Sequence, residues 1–166
     1  MLNNDTLTTP QTLDKLVSDL NRPDVVLASA KDASPYFADE KAFLETKTAP
    51  DDDFHETPDF SCFGINKEGY DSIGGLDTNF YPAYFEDNDY HRRIKIAKKI
   101  AECNYANFYY HFGSRTKTLN PEFHAYIESQ YLKNQTYYKK KWGGEPGNEQ
   151  FLIPFNGVEQ EDTQKS

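Results

Sequence analysis

Three short strand-like runs, Asp24–Ala28, Phe60–Ile65 and Tyr105–Tyr110, are separated by stretches that carry helical spacing or helix-ending signals, and this alternation restricts the fold more than any other feature of the chain. Strands that alternate with helices predict an α/β layer with a mostly parallel sheet, because a parallel pair needs a long crossover and a helix supplies it. Thr9 as N-cap and Pro10 at the first helical position predict a helix that buries Leu13, Leu16, Val17 and Leu20 and stops at Asn21-Arg22-Pro23. Further helices are expected at Lys67–Ile73, stopped by Gly74-Gly75, at 87–101, and at 122–141, stopped by Gly143-Gly144. Met1-Leu2 reads as the tail of a strand, and residues 31–58 read as a long polar loop with one helical turn around Ala42–Leu44. The acidic run Asp51-Asp52-Asp53 reads as a solvated face. One domain is expected over 1–156, followed by a disordered polar tail at 157–166.

The charge balance narrows the partners. A net charge of -9 does not suit a nucleic-acid backbone, whose binding needs clustered Lys and Arg. It leaves room for a phosphate-bearing ligand when a divalent cation supplies the positive charge. No apolar run approaches the length of a membrane span, and Cys62 and Cys103 lie too far apart for a CxxC site, so both read as buried free thiols of a cytoplasmic protein. Aromatic residues are dense, at 12 Tyr, 12 Phe and one Trp, and are expected mostly to fill the core where aliphatic residues are scarce.

Polar clusters fall at or just after candidate strand ends, where α/β sheets bind ligands: Asn3-Asn4-Asp5, Glu86-Asp87 and His111. Each also has an ordinary structural reading. Asp5 can form an Asx turn, Glu86 and Asp87 suit the positive end of a helix, and a single His is common in cores. Trp142 reads as a packing anchor for the last helix, and Arg92 and Arg93 are adjacent, so only one of them can face a given site.

Read together, these segments resemble family 2 glycosyltransferases. Asn3-Asn4-Asp5-Thr6 with Thr9-Pro10 is similar to the Asp-x-Asp region, in which a strand end precedes a Pro-started helix. Ile73-Gly74-Gly75-Leu76-Asp77 is similar to the "IGGFDE" segment, and Tyr84-Phe85-Glu86-Asp87-Asn88-Asp89 running to Arg92-Arg93 is similar to "yyEDxDlxxR". His111-Phe112-Gly113-Ser114-Arg115-Thr116 resembles "HxGSxT", and Lys141-Trp142-Gly143-Gly144 resembles a late "KWGG". The matching segments span roughly 1–156 in unbroken order.

The resemblance implies a partial GT-A fold: a mixed sheet flanked by helices, beginning at the Asp-x-Asp strand and lacking most of the nucleotide-binding half. It implies a metal-dependent, inverting transfer of a sugar from a nucleotide-sugar to an acceptor hydroxyl. Mn or Mg would be held by Asp5 and His111, and the donor met by Asn4, Asp5 and Arg92. Asp87 would act as general base with Glu86 beside it, and Asp77, Gly75 and Trp142 would meet the acceptor. A second chain would supply the donor half, or the chain would form a homo-oligomer. The alternative class is a non-catalytic glycan-binding or assembly module on the same fold, for example virion-associated.

Overall fold

The computed structural model describes residues 1–46, 60–113 and 120–158. They form a mixed α/β structure, divided into two compact units: Met1–Gly75 with Arg93–Leu119, and Leu76–Arg92 with Asn120–Ser166.

The first unit is built on a four-stranded sheet in the order β1-β4-β2-β3, with β1 at Thr6–Thr8, β2 at Val25–Asp32, β3 at Phe63–Ile65 and β4 at Ile100–His111. Only β2 and β4 run parallel; β1 lies antiparallel to β4, and β3 antiparallel to β2. The sheet is therefore mixed, where strand–helix alternation alone predicts a mostly parallel one. The difference arises because β1 and β3 are three-residue edge strands that return against their neighbours. Leu2 bridges to Cys62, so the first residues do pair as extended chain.

β2 is longer than expected. Its inner position buries it on both faces, including Ser29 and Lys31, and the small residues Ala28, Ser29 and Ala30 let it continue past the apolar run. β4 begins at Ile100, inside the segment predicted as helix, because Ile100 pairs with Val25 of the central strand. Its pairing jumps from Asn104 opposite Ala30 to Phe108 opposite Lys31, a bulge held by Thr12: Asn107 Nδ2 donates to Thr12 O (3.1 Å), and Thr12 Oγ1 donates to Phe108 O (3.2 Å).

That anchor also moves α1. Thr9-Pro10 forms a turn rather than a helix start, and α1 runs Thr12–Leu20. Its buried side is Thr12, Leu16 and Asp19, while Leu13 and Val17 are exposed, contrary to the apolar stripe read from the sequence. Leu16, Val25, Ala28, Ala30, Cys62 and Tyr109 form the core below it. α2 (Glu40–Glu45) is capped by Asp39, whose side chain accepts from Ala42 N, and places Phe43 on Phe108. α3 (Lys67–Ile73) matches its predicted span; Asn66 caps it, and Gly74 at φ 86° ends it in a conformation that favours glycine. The acidic run 51–53 lies outside the described residues.

The second unit is packed around the long helix α5, Pro121–Trp142, which starts at the Asn120 cap and ends at Gly143 with φ 75°. Its core is aromatic. Phe80 packs edge-on against Tyr137 (5.0 Å between centroids), Phe85 against Tyr131 (5.3 Å) and Tyr138 (5.7 Å), and Trp142 is 1% exposed. Helix α4, Glu86–Ile96, contributes Glu86–Arg92 to this unit and is five residues shorter at its end than expected, because Ile100 and Ala101 belong to the sheet. The final described residues make a 3-10 turn at Pro154–Gly157; 159–166 lie outside the described residues. Among the described residues no helix is long and apolar enough to cross a membrane.

Candidate functional site

In the first unit, the register of β1 against β4 pairs Thr6 with His111, which draws Asp5 alongside the imidazole. Phe112 N donates to Asp5 O (2.9 Å) and fixes that approach. His111 Nε2 stands 3.3 Å from Asp5 Oδ1, and its Nδ1 stands 3.8 Å from Asp32 Oδ2. Asp32 is the last residue of β2, and its Oδ1 accepts from Ser34 N (2.8 Å), which orients the carboxylate. The cluster thus sits at the carboxyl ends of the two parallel strands, where α/β sheets expose their ligands. Asn4 is exposed beside it in sequence.

A carboxylate oxygen and an imidazole nitrogen at this separation suit neighbouring positions on one divalent ion, whose adjacent donors lie about 3 Å apart when the bonds are about 2.1 Å. Asp32 faces the other ring nitrogen, so it can orient the imidazole but does not share the same ligand edge. Among the described residues no group of three or more His, Cys, Asp or Glu side chains is arranged to hold a metal, so any ion here would complete its shell with ligand or solvent oxygen. A cavity of about 550 Å³ in this unit, lined by Thr8, Thr9, Pro10, Lys15, Phe43 and Phe108, includes none of the candidate catalytic, metal-ligating, donor or acceptor residues.

In the second unit, Tyr84 (φ 76°) and Phe85 (φ 73°) both take the left-handed backbone region immediately before α4. Two consecutive non-glycine residues there hold strain, which folded chains keep where surrounding packing over-determines the turn. The turn presents Glu86 and Asp87 to a cleft of about 320 Å³ that Tyr131, Gln135 and Glu145 also line. Burial pushes the Glu86 carboxyl above the usual carboxylate range; the Asp87 charge adds to the rise, while backbone hydrogen bonding at Glu86 and Tyr84 offsets part of it. Its Oε2 is buried with no hydrogen-bond partner among the described residues. Asp87 Oδ1 accepts from Asn88 N (2.7 Å).

The rest of the motif holds this turn in place. Lys141 reaches Asp77 Oδ2 (2.7 Å) and Asp89 Oδ1 (2.6 Å), and Asp89 is wholly buried. Trp142 Nε1 donates to Asp89 Oδ1 (2.9 Å). Tyr137 OH donates to Asp77 Oδ2 (3.1 Å), and Asn79 N donates to Asp77 Oδ1 (2.9 Å). Burial alone would raise the Asp77 pKa, but Lys141 and the Asn79 N–H together hold it below the usual value. Asn134 Nδ2 donates to Phe80 O and Ala83 O, both at 2.8 Å, and so clamps the chain leading to Tyr84. Arg92 donates to Phe151 O (2.7 Å), and its guanidinium lies 5.8 Å from the Trp142 ring centre.

Asp5 and His111 are therefore brought together in the first unit, and Glu86 and Asp87 in the second. Of the three residues expected to meet an acceptor, Asp77 is held by Lys141 and Tyr137, Trp142 has its ring buried and its N–H on Asp89, and Gly75 is an exposed residue of the first unit. Arg92 is engaged by Phe151 O within the second unit. Asp32, Tyr131, Gln135 and Asn134 were not visible as site residues in the sequence. Asp32 lies beyond the predicted end of its strand, and the other three belong to a helix whose polar and aromatic residues show no apolar stripe to orient it. Compared with known proteins, the chain matches no family model, no curated protein and no solved structure.

Proposed function

We propose that this chain is the acceptor-side part of a GT-A, metal-dependent, inverting glycosyltransferase that takes a nucleotide-sugar donor. The observation that carries the reading is the approach of Asp5 to His111 at the sheet's ligand-binding edge, since the motif resemblance assigns both to one cation and they lie 106 positions apart in the sequence. The strained turn that presents Glu86 and Asp87 to a cleft supports it separately.

In this reading Asp5 and His111 hold Mn or Mg, which when bound neutralises charge on a diphosphate leaving group. Asp87 takes the proton of the acceptor hydroxyl as that oxygen bonds to the anomeric carbon. The bond from that carbon to the diphosphate breaks with its electron pair on the leaving oxygen. A single displacement inverts the centre, and no side chain forms a covalent intermediate.

The test is titration of Mn²⁺ alone, followed by electron paramagnetic resonance. The wild-type chain should bind Mn²⁺, and Asp5→Asn and His111→Ala should each weaken binding at least 10-fold with unchanged circular dichroism. A wild-type chain indifferent to Mn²⁺, or variants that bind it equally well, would remove the reading.

A further inference from the structure

The cleft in front of α4 has a wall that the motif resemblance does not assign. Tyr131 and Gln135 stand one turn apart on α5 and both line it. Tyr131 is 38% exposed, so its ring can be reached, and it meets Tyr84 edge to face at 5.3 Å and 73°. Tyr84 OH donates to Glu128 Oε1 (3.0 Å), which fixes the rim. The cleft, at about 320 Å³, falls at the small end of ligand-pocket sizes, room for one ring rather than an extended chain.

Its chemistry selects a class of ligand. Among the described residues no Lys or Arg lines the cleft, which does not favour an anionic ligand. Of its acids, Glu145 is already paired with Lys139. Glu86 is half-buried beside Asp87 with its Oε2 out of reach of a ligand, a setting that disfavours two full charges, while the Asp87 carboxylate lines the cleft and can accept from hydroxyl groups. An aromatic face, an amide and carboxyl oxygens together suit a neutral polyhydroxylated ring, which offers an apolar face of C–H groups and a rim of hydroxyl donors.

We propose that this cleft binds one neutral pyranose ring of a glycan acceptor, with Tyr131 stacked on the ring and Gln135 and the Asp87 carboxylate bonding its hydroxyls. The word acceptor rests on the transferase reading; carbohydrate binding itself does not, and is measured without metal or donor.

Saturation-transfer NMR and calorimetry with methyl glycosides of glucose, galactose, mannose, N-acetylglucosamine and rhamnose, and with tetramethylammonium as a cationic control, test it. At least one glycoside should bind. Tyr131→Ala should weaken it about 5-fold, since ring stacking contributes on the order of 1 kcal/mol. Tyr131→Phe should restore most of the affinity, and Gln135→Ala should weaken binding without moving the thermal midpoint. Failure of every glycoside, binding of tetramethylammonium in their place, or an affinity unchanged by Tyr131→Ala overturns the proposal. Loss of Mn²⁺ binding with sugar binding intact would instead remove the transferase reading and leave the cleft.

Discussion

The two compact units hold the charged residues of their candidate sites in different ways. In the first, Asp19 and Lys31 are buried beside a core of aliphatic and aromatic residues, but the charged residues of the candidate site stand at strand ends: Asp5, Asp32 and His111 are 15%, 26% and 22% exposed. In the second, the core is built from Phe, Tyr and Trp rings, and the charges are inside it, with Asp89 wholly buried and Lys141 at 6%. The difference separates residues that can do chemistry from residues that hold chemistry in place. A partly exposed carboxylate keeps coordination sites for a ligand, whereas Asp89 already commits its Oδ1 to Lys141 and Trp142 inside the fold. In the motif around α4, Glu86 and Asp87 remain available, and Asp77, Asp89 and Arg92 are committed to packing.

The contrast is most exposed to failure at Lys141. Lys141→Ala leaves the buried carboxylate of Asp89 and the half-buried one of Asp77 without their cation, and a broken buried pair costs about 3–5 kcal/mol, read by urea denaturation. His111→Ala in the first unit should cost less than about 1 kcal/mol, because it removes a side chain at the sheet's edge rather than from its core. Equal losses in the two variants would erase the distinction between the units. The sign of the pH response follows from Asp77: its native pKa lies below the unfolded value, so its contribution is present above the unfolded pKa and is lost as pH falls through the native one. Asp77→Asn should flatten that acid limb.

A smaller effect is expected at Asn134. Asn134→Ala leaves the Phe80 and Ala83 carbonyls without their shared donor, a loss of about 2 kcal/mol. It should also broaden the NMR signals of Tyr84 and Phe85 more than those of α1. Stability loss without any change at the turn would show that Asn134 supports the helix and not the site.

The smallest effect has the opposite direction. Glu86 has a native pKa above the unfolded one, so its contribution is full below the unfolded pKa and disappears as pH rises through the native value. Glu86→Gln should therefore raise the thermal midpoint at neutral pH, with a gain that shrinks toward pH 4. A loss of stability at neutral pH would place Glu86 with the packing charges rather than with the cleft.

Much of the local structure was legible. Gly74 and Gly143 as stops and the span of α3 follow from short-range rules in which neighbouring residues satisfy one another's backbone groups. The start of α1 was not, because the signal at Thr9-Pro10 is overruled by Thr12, whose hydroxyl serves Phe108 in a distant strand. The end of α4 failed similarly: Ile100 fits a helical stripe and a strand equally well, and its pairing with Val25 decides.

The sequence by itself determined the alternation of strands and helices, the glycines that stop α3 and α5, and the residue types that stand at strand ends, since these depend on groups only a few positions apart. Only the tertiary structure decided that Asp5 meets His111, that Asp32 faces the other side of the same ring, and that Lys141 consumes Asp77 and Asp89. Those outcomes depend on strand register, a bulge in β4 and the burial of charge. Each joins residues far apart in the chain, and their strength comes from exclusion of water rather than from any local pattern.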